Sequence, residues 1–315
     1  MPRLVFVSWS QTGQLDQIVS ALTAPLEADP AWQVTKITLD PVDPYPFPWP
    51  FLRFFDTFPE TVVGIAPPIA APALPDGPEP DLVILAYQVW FLSPAGPMTA
   101  FLDRPEARRL LAGRRVITLV ACRNMWIEAQ RVMVARLASL GARHLDHIAI
   151  TDTAHPAATF ISTPWWMLTG QRGPLLGGLI PRAGVPNQDI AGSARFGQAI
   201  RDELPLREPN DDRPLLSGLG AVCVRPGLIA AERIGRRSFM IWGSLLRHLG
   251  RPGAPLRRIV LIGYVVFLVT MILTVAPLSA LIRALLAPFR KASQALECAQ
   301  IAAPSGEGRE RLAPL

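Results

Sequence analysis

The chain runs to 315 residues, 50% of them apolar and 18% charged, which is too oily for disorder and long enough to bury a sizeable core. Its 33 prolines and 23 glycines stay under the roughly 25–30% share that marks low-complexity sequence, so collagen, coiled coil and disulfide scaffold are excluded. The net charge is +6 and Lys36 and Lys291 are the only lysines; many of the arginines gather around an oily C-terminal segment, which favours a membrane surface as partner and speaks against nucleic acid.

Arg3 precedes an apolar run at 4–7 that is too short for the hydrophobic region of a signal peptide, and no small-residue cleavage site follows. It reads as a buried strand. From there to about residue 140, short β-rich runs alternate with amphipathic stretches, the rhythm of parallel βαβ units covered on both faces. Strands are predicted at 4–8, 33–39, 82–86, 116–121 and 145–151, and helices at 15–26, 98–111, 126–140 and 188–204. The expected fold class is α/β, a doubly wound five-stranded parallel sheet occupying 1–204. Two insertions interrupt it. The first, 41–80, opens on Tyr45-Pro46-Phe47-Pro48-Trp49-Pro50-Phe51 and closes on proline-rich chain, a rigid packed connection. The second, 153–186, carries Phe160, Trp165, Trp166 and Met167 followed by a glycine-rich stretch, and is expected to form a lid.

A polar stretch at 205–212 reads as a domain boundary, and 205–258 as a basic helical linker with a helix at 228–249. Residues 259–282 carry no charge and, as a helix, would span about 36 Å against a hydrocarbon core of about 30 Å. A transmembrane or re-entrant helix is expected over 259–289, kinked at Pro277 and followed by a polar tail at 290–315. Arg247, Arg251, Arg257 and Arg258 precede the run; Arg283, Arg290 and Lys291 follow it. The expected location is the cell inner membrane, with the α/β domain on the cytoplasmic side. Cys122, Cys223 and Cys298 lack a CxxC pair or a histidine at ligand spacing, so no metal site is expected and a reducing cytosol suits them.

Ligands of a doubly wound sheet bind beyond the carboxyl ends of its strands. Three segments fall there. Ser10-Gln11-Thr12-Gly13-Gln14 offers hydroxyls, a flexible glycine and the free amides of a helix start, means to hold a phosphate monoester or simply to begin a helix. Tyr87, Gln88, Trp90, Phe91 and Ser93 supply aromatic faces and polar groups for a flat ring, or an aromatic loop packed over the core. Cys122, Arg123, Asn124 and Trp126 bring a thiol, a guanidinium, an amide and an indole to the same rim, with Cys122 read as a small buried residue rather than a nucleophile.

Ser10–Gln14 resembles the phosphate loop of flavodoxins, and 87–104 resembles the flavin-ring loop and following helix of flavodoxin-like quinone reductases. More specifically, Trp9-Ser10-Gln11-Thr12-Gly13-Gln14-Leu15, Pro46-Phe47-Pro48-Trp49-Pro50-Phe51, Trp90-Phe91-Leu92-Ser93-Pro94, Cys122-Arg123-Asn124-Met125-Trp126 and Trp166-Met167-Leu168-Thr169-Gly170 resemble the blocks of the flavodoxin-like dialkylresorcinol condensing enzymes of dialkylresorcinol and flexirubin-type lipid biosynthesis. The resemblance covers about 1–204. It implies a flavodoxin-like fold, FMN as cofactor, and a role beside a ketosynthase and an acyl carrier protein, acting on a lipophilic two-chain substrate; a homodimer is left open. Leu15 departs from the threonine that usually ends the phosphate loop.

Turning a dialkylcyclohexanedione into a resorcinol removes two hydrogens, so the expected reaction is an oxidation. Condensation needs an activated cysteine among histidines, and His144, His147, His155 and His248 form no such set around Cys122. His155, the histidine of the second insertion, is the expected base, and Arg123 the group that steadies the enolate. A membrane-tethered NAD(P)H:quinone reductase and a non-enzymatic docking protein for ketosynthase and acyl carrier protein are the alternatives.

Overall fold

The computed structural model describes residues 1–312, except for the side chains at 156, 276 and 279–291. Its elements in chain order are β1 (Arg3–Ser8), α1 (Gln14–Glu27), β2 (Gln33–Thr38), α2 (Phe51–Asp56), α3 (Phe58–Val63), β3 (Leu82–Trp90), β4 (Ser93–Pro94), α4 (Gly96–Leu102), α5 (Pro105–Leu111), β5 (Arg115–Cys122), α6 (Ile127–Ser139) and β6 (Arg143–Thr151). The helices α7 (Pro156–Thr169), α8 (Asn187–Gly192), α9 (Ala194–Glu203), α10 (Pro226–His248), α11 (Pro255–Leu273) and α12 (Val275–Ala302) complete it.

The long strands lie parallel in the order β2-β1-β3-β5-β6, and β4 turns back antiparallel on the end of β3. With that two-residue excursion set aside, the order is the 2-1-3-4-5 of the flavodoxin-like doubly wound sheet. β1, β3 and β5 are buried almost throughout, which is why they read as unbroken apolar runs. α9 lies so close to α1 that a Cβ at Gly197 would sit 1.9 Å from the Leu22 carbonyl oxygen, a contact only glycine allows.

Several boundaries differ from expectation, each for a local reason. The helix expected at 98–111 is two, because Pro105 holds Arg104 extended (φ −86°, ψ 150°). β3 runs on to Trp90 and closes a two-residue hairpin with Ser93, placing Phe91 (φ 49°) and Leu92 (φ 59°) in the left-handed region. Two bulky residues there cost on the order of 1–3 kcal/mol each, which the surrounding packing offsets. Nor does the chain leave the α/β body at 205. Leu215, Leu216, Leu219, Ala221, Val222 and Val224 are buried in the main core, and Ala149 N donates to Ala221 O at 2.8 Å, so this segment covers the outer edge of β6.

The stretch from 290 on is likewise no free tail. α12 continues to Ala302, Cys298 and Ala302 join the core, and Ser305 Oγ donates to Asp146 Oδ1 at 2.7 Å while accepting from His147 N at 2.7 Å. The apolar run at 259–282 is divided between α11 and α12 at Thr274. Pro277 has no N–H to offer the Leu273 carbonyl, and Thr270 and Thr274 turn their hydroxyls back onto the carbonyls of Val266 and Thr270, which loosens the helix there. The side chains of Arg283, Arg290 and Lys291 lie outside the described residues.

Candidate functional site

A cleft of about 200 Å³ opens at the carboxyl ends of β1, β3, β5 and β6, walled by the loop before α1, the end of β3, and residues of both insertions. Its polar end is the start of α1. Gly13 caps that helix at φ 77°, no side chain caps it, a Cβ on Gly13 would meet nothing within 4 Å, and Asp16 stands in its first turn. Gln11 N is already taken, donating to Gln88 Oε1 at 3.0 Å, and Gln11 Nε2 donates to Pro46 O at 3.0 Å. Ser10 begins the loop and Thr12 lines the cleft; the oxygens Gln11 Oε1 and, after β5, Asn124 Oδ1 are buried without a partner. Gln14 is not free for a ligand: its amide exchanges two hydrogen bonds of 3.1 Å with the Val185 backbone and thereby fastens the second insertion to α1.

The apolar end is aromatic. Trp90 is wedged by edge contacts with Trp9 (5.4 Å between ring centroids) and Tyr45 (4.8 Å) and by Trp49 (5.7 Å), so it is a fixed wall. Phe54, Trp166 and Met167 line the cleft with it, and Trp49 N donates to Met167 O at 2.8 Å, joining the two insertions. Phe91 lines the cleft too, but its ring also packs on Phe54, Phe58 and Phe239.

Four expected site residues are elsewhere. Along β3 successive side chains alternate, so Gln88 and Trp90 reach the cleft while Tyr87 points the other way and donates to Gln130 Oε1 at 2.7 Å in the core. Ser93 lies beneath α10, where Arg236 donates to its hydroxyl. Trp126 is buried against His147 at the start of α6. The expected base, His155, is an exposed N-cap: its Nδ1 accepts from Ala157 N, and it lines no part of the cleft.

Cys122 and Arg123 do reach the cleft. Burial, with Glu232 nearby, pushes the Cys122 thiol far above its ordinary range, so it stays protonated. The Arg123 guanidinium lies 4.2 Å over the Phe160 ring, and burial lowers its pKa. A carboxylate that the motifs passed over shares this wall. Asp152, just past β6, is the only acid lining the cleft among the described residues; its Oδ1 accepts from Ala154 N at 2.9 Å and its Oδ2 from Gly184 N at 3.0 Å. The position after the last strand was the available signal, the same that brought Cys122 forward. Among the described residues no cluster of His, Cys, Asp and Glu could hold a metal ion.

No protein-family model and no curated protein matches the chain. Solved structures similar to it include a flavodoxin from the domain Archaea (12% identity, 65% of this chain and 99% of that one, TM-score 0.35) and flavodoxin 1 from Bacillus cereus (12%, 64% and 98%, 0.34). A flavoprotein in complex with FMN from Lactobacillus acidophilus is similar over 47% of this chain and 90% of its own, at 14% identity and TM-score 0.35. The fold is flavodoxin-like. That statement stands on the strand order of the sheet. The cleft offers in kind what a flavin mononucleotide would need: a helix start without a side-chain cap, and a fixed aromatic wall for a ring.

Proposed function

We propose that the chain binds FMN in this cleft and oxidises a ring dione bearing two alkyl chains to the resorcinol, beside a ketosynthase and an acyl carrier protein that supply the dione. The observation that carries the reading is the pairing of an anion-ready helix start with an aromatic wall, with one carboxylate and one guanidinium in the same cleft. The motif resemblance at Ser10–Leu15, Trp90–Pro94 and Cys122–Trp126 supports the choice of substrate.

The first-turn amides of α1, with Thr12, would hold the phosphate, and Trp90 and Trp166 would border the ring. When bound, the flavin supplies the two-electron acceptor that aromatisation needs. Phe54, Trp90 and Met167 keep water from the substrate ring. Arg123, cationic throughout the working pH range, steadies the enolate oxygen. Asp152 accepts the proton, since a carboxylate has about four lone-pair sites and backbone N–H groups take two. Cys122 stays a thiol and takes no part.

The test is to titrate the purified full chain with FMN by fluorescence, then add an alkylcyclohexanedione and follow resorcinol formation. Asp152→Asn is expected to keep FMN affinity and slow the oxidation by about 100-fold or more. A chain that neither carries nor takes up flavin sinks the proposal; flavin bleached by NADPH with no response to the dione replaces it with the quinone-reductase reading.

A further inference from the structure

Both ends of the α11–α12 unit are fastened to the same α/β body. At its start Arg257 is fully buried: Nε donates to Asp56 Oδ1 at 2.7 Å, Nη2 to Glu60 Oε2 at 2.6 Å and Nη1 to Gly250 O at 3.2 Å. One turn on, Leu261, Tyr264 and Val265 are buried, with Tyr264 stacked on Phe58 at 4.8 Å and tilted on Trp242 at 5.1 Å. At the far end Glu297 pairs with Arg233 at 2.9 Å, Cys298 and Ala302 enter the main core, and Val224 N donates to Glu307 Oε1 at 2.7 Å.

Beyond the first attachment the cover is lost among the described side chains. Val266, Phe267, Val269 and Leu273 on α11, and Val275 and Leu278 beyond the break, are exposed, in a stretch without a single charge. Soluble surfaces seldom leave a contiguous apolar face of this kind to water. From 266 to 273 the helix rises about 10 Å, within the about 15 Å of half a hydrocarbon core and well short of a whole one. Arg247, Arg251 and Arg258 are exposed around the base of α11, where anionic headgroups would sit; Arg257, the fourth basic residue there, is spent on Asp56 and Glu60. On α10, Ile234, Ile241 and Leu245 form an exposed apolar stripe at spacings of seven and four, suited to the interfacial plane.

We propose that the α11–α12 junction dips into one leaflet of a bilayer and returns, so that the chain is monotopic and its C-terminal segment lies on the same side as its α/β body. A single crossing would need the attachments through Glu297, Cys298, Ser305 and Glu307 to be torn from the sheet they cover. The proposal stands whether or not the cleft binds a flavin.

The test uses the full chain with a tag at each end, reconstituted into vesicles of phosphatidylethanolamine with a minority of phosphatidylglycerol. The chain is expected to float with the vesicles, resist carbonate extraction, and lose both tags to protease added outside. Val266→Asp with Leu273→Asp, at exposed positions that leave the core intact, is expected to cut vesicle binding by at least about tenfold with unchanged circular dichroism. A protected C-terminal tag beside a cleaved N-terminal one overturns the one-sided topology. Failure to float, or a double variant that binds as well as the parent, overturns insertion.

Discussion

Glu232 of α10 is fully buried where that helix crosses the start of α6, and its Oε2 accepts from Glu128 N at 3.2 Å. Burial outweighs the backbone donors and pushes its pKa up to about 8. The carboxyl is therefore neutral in the fold while the unfolded chain ionises it near the usual 4.5. Between those values the folded state holds one more proton, so stability falls as pH rises, by about 1.4 kcal/mol per unit, and levels off above 8. Glu232→Gln keeps an acceptor for the amide and removes the titration. Urea unfolding at pH 5 and at pH 8.5 should show the variant gaining on the parent at the higher pH; parallel stabilities would mean Glu232 is not buried neutral. Its neighbour Cys122 is kept a thiol by the same burial, which is why the one cysteine at the rim makes a poor nucleophile.

At the scale of elements, α10 and α11 are bolted onto the aromatic hairpin after β3 and onto the first insertion. A Cβ at Gly235 would lie 3.1 Å from Leu92, one at Gly243 would lie 2.5 Å from Val62, and Phe239 packs on Phe91. These contacts hold Phe91 and Leu92 in their left-handed conformations. Arg257 is the charged part of the joint, and breaking it leaves Asp56 and Glu60 facing an apolar replacement. Arg257→Met is expected to cost about 1–3 kcal/mol of local stability, since it leaves two partly exposed carboxylates without their charged donor. Hydrogen exchange should then speed up in α11 while the strands keep their protection. Equal protection of α11 in variant and parent would show the cluster to be dispensable. None of this joint was visible in the sequence, because Asp56 and Glu60 lie 201 and 197 residues from Arg257 and no local pattern links them.

Across the whole molecule, what could be read from the chain was what local physics dictates. The inner strands β1, β3 and β5, buried on both faces, announce themselves as apolar runs; all five long strands stood near their predicted places, and the rhythm between them implied the doubly wound sheet. Gln11, Thr12 and Gln14 of the loop before α1 line the cleft, since a turn between β1 and its helix opens at the carboxyl ends of the strands. The parts that escaped depend on which way a side chain faces or on distant chain: Tyr87 against Gln88, the Asp152 carboxylate, and the covering of β6. That covering makes the C-terminal segment part of the fold rather than an appendage, because Asp146, buried in β6, accepts from Leu215 N at 2.7 Å and from Ser305 Oγ at 2.7 Å. Burial raises its pKa to about 6, so each lost donor falls on a group already costly to keep ionised. A chain ended at Ala302 would lose Ser305 and the Glu307 carboxylate that accepts from Val224 N, loosening the segment that covers the β6 edge. Such a truncation is expected to lower the melting temperature by several degrees and to aggregate on heating. An unchanged melting curve would mean that 303–312 only rest on the sheet and that residues 213–224 alone close its edge.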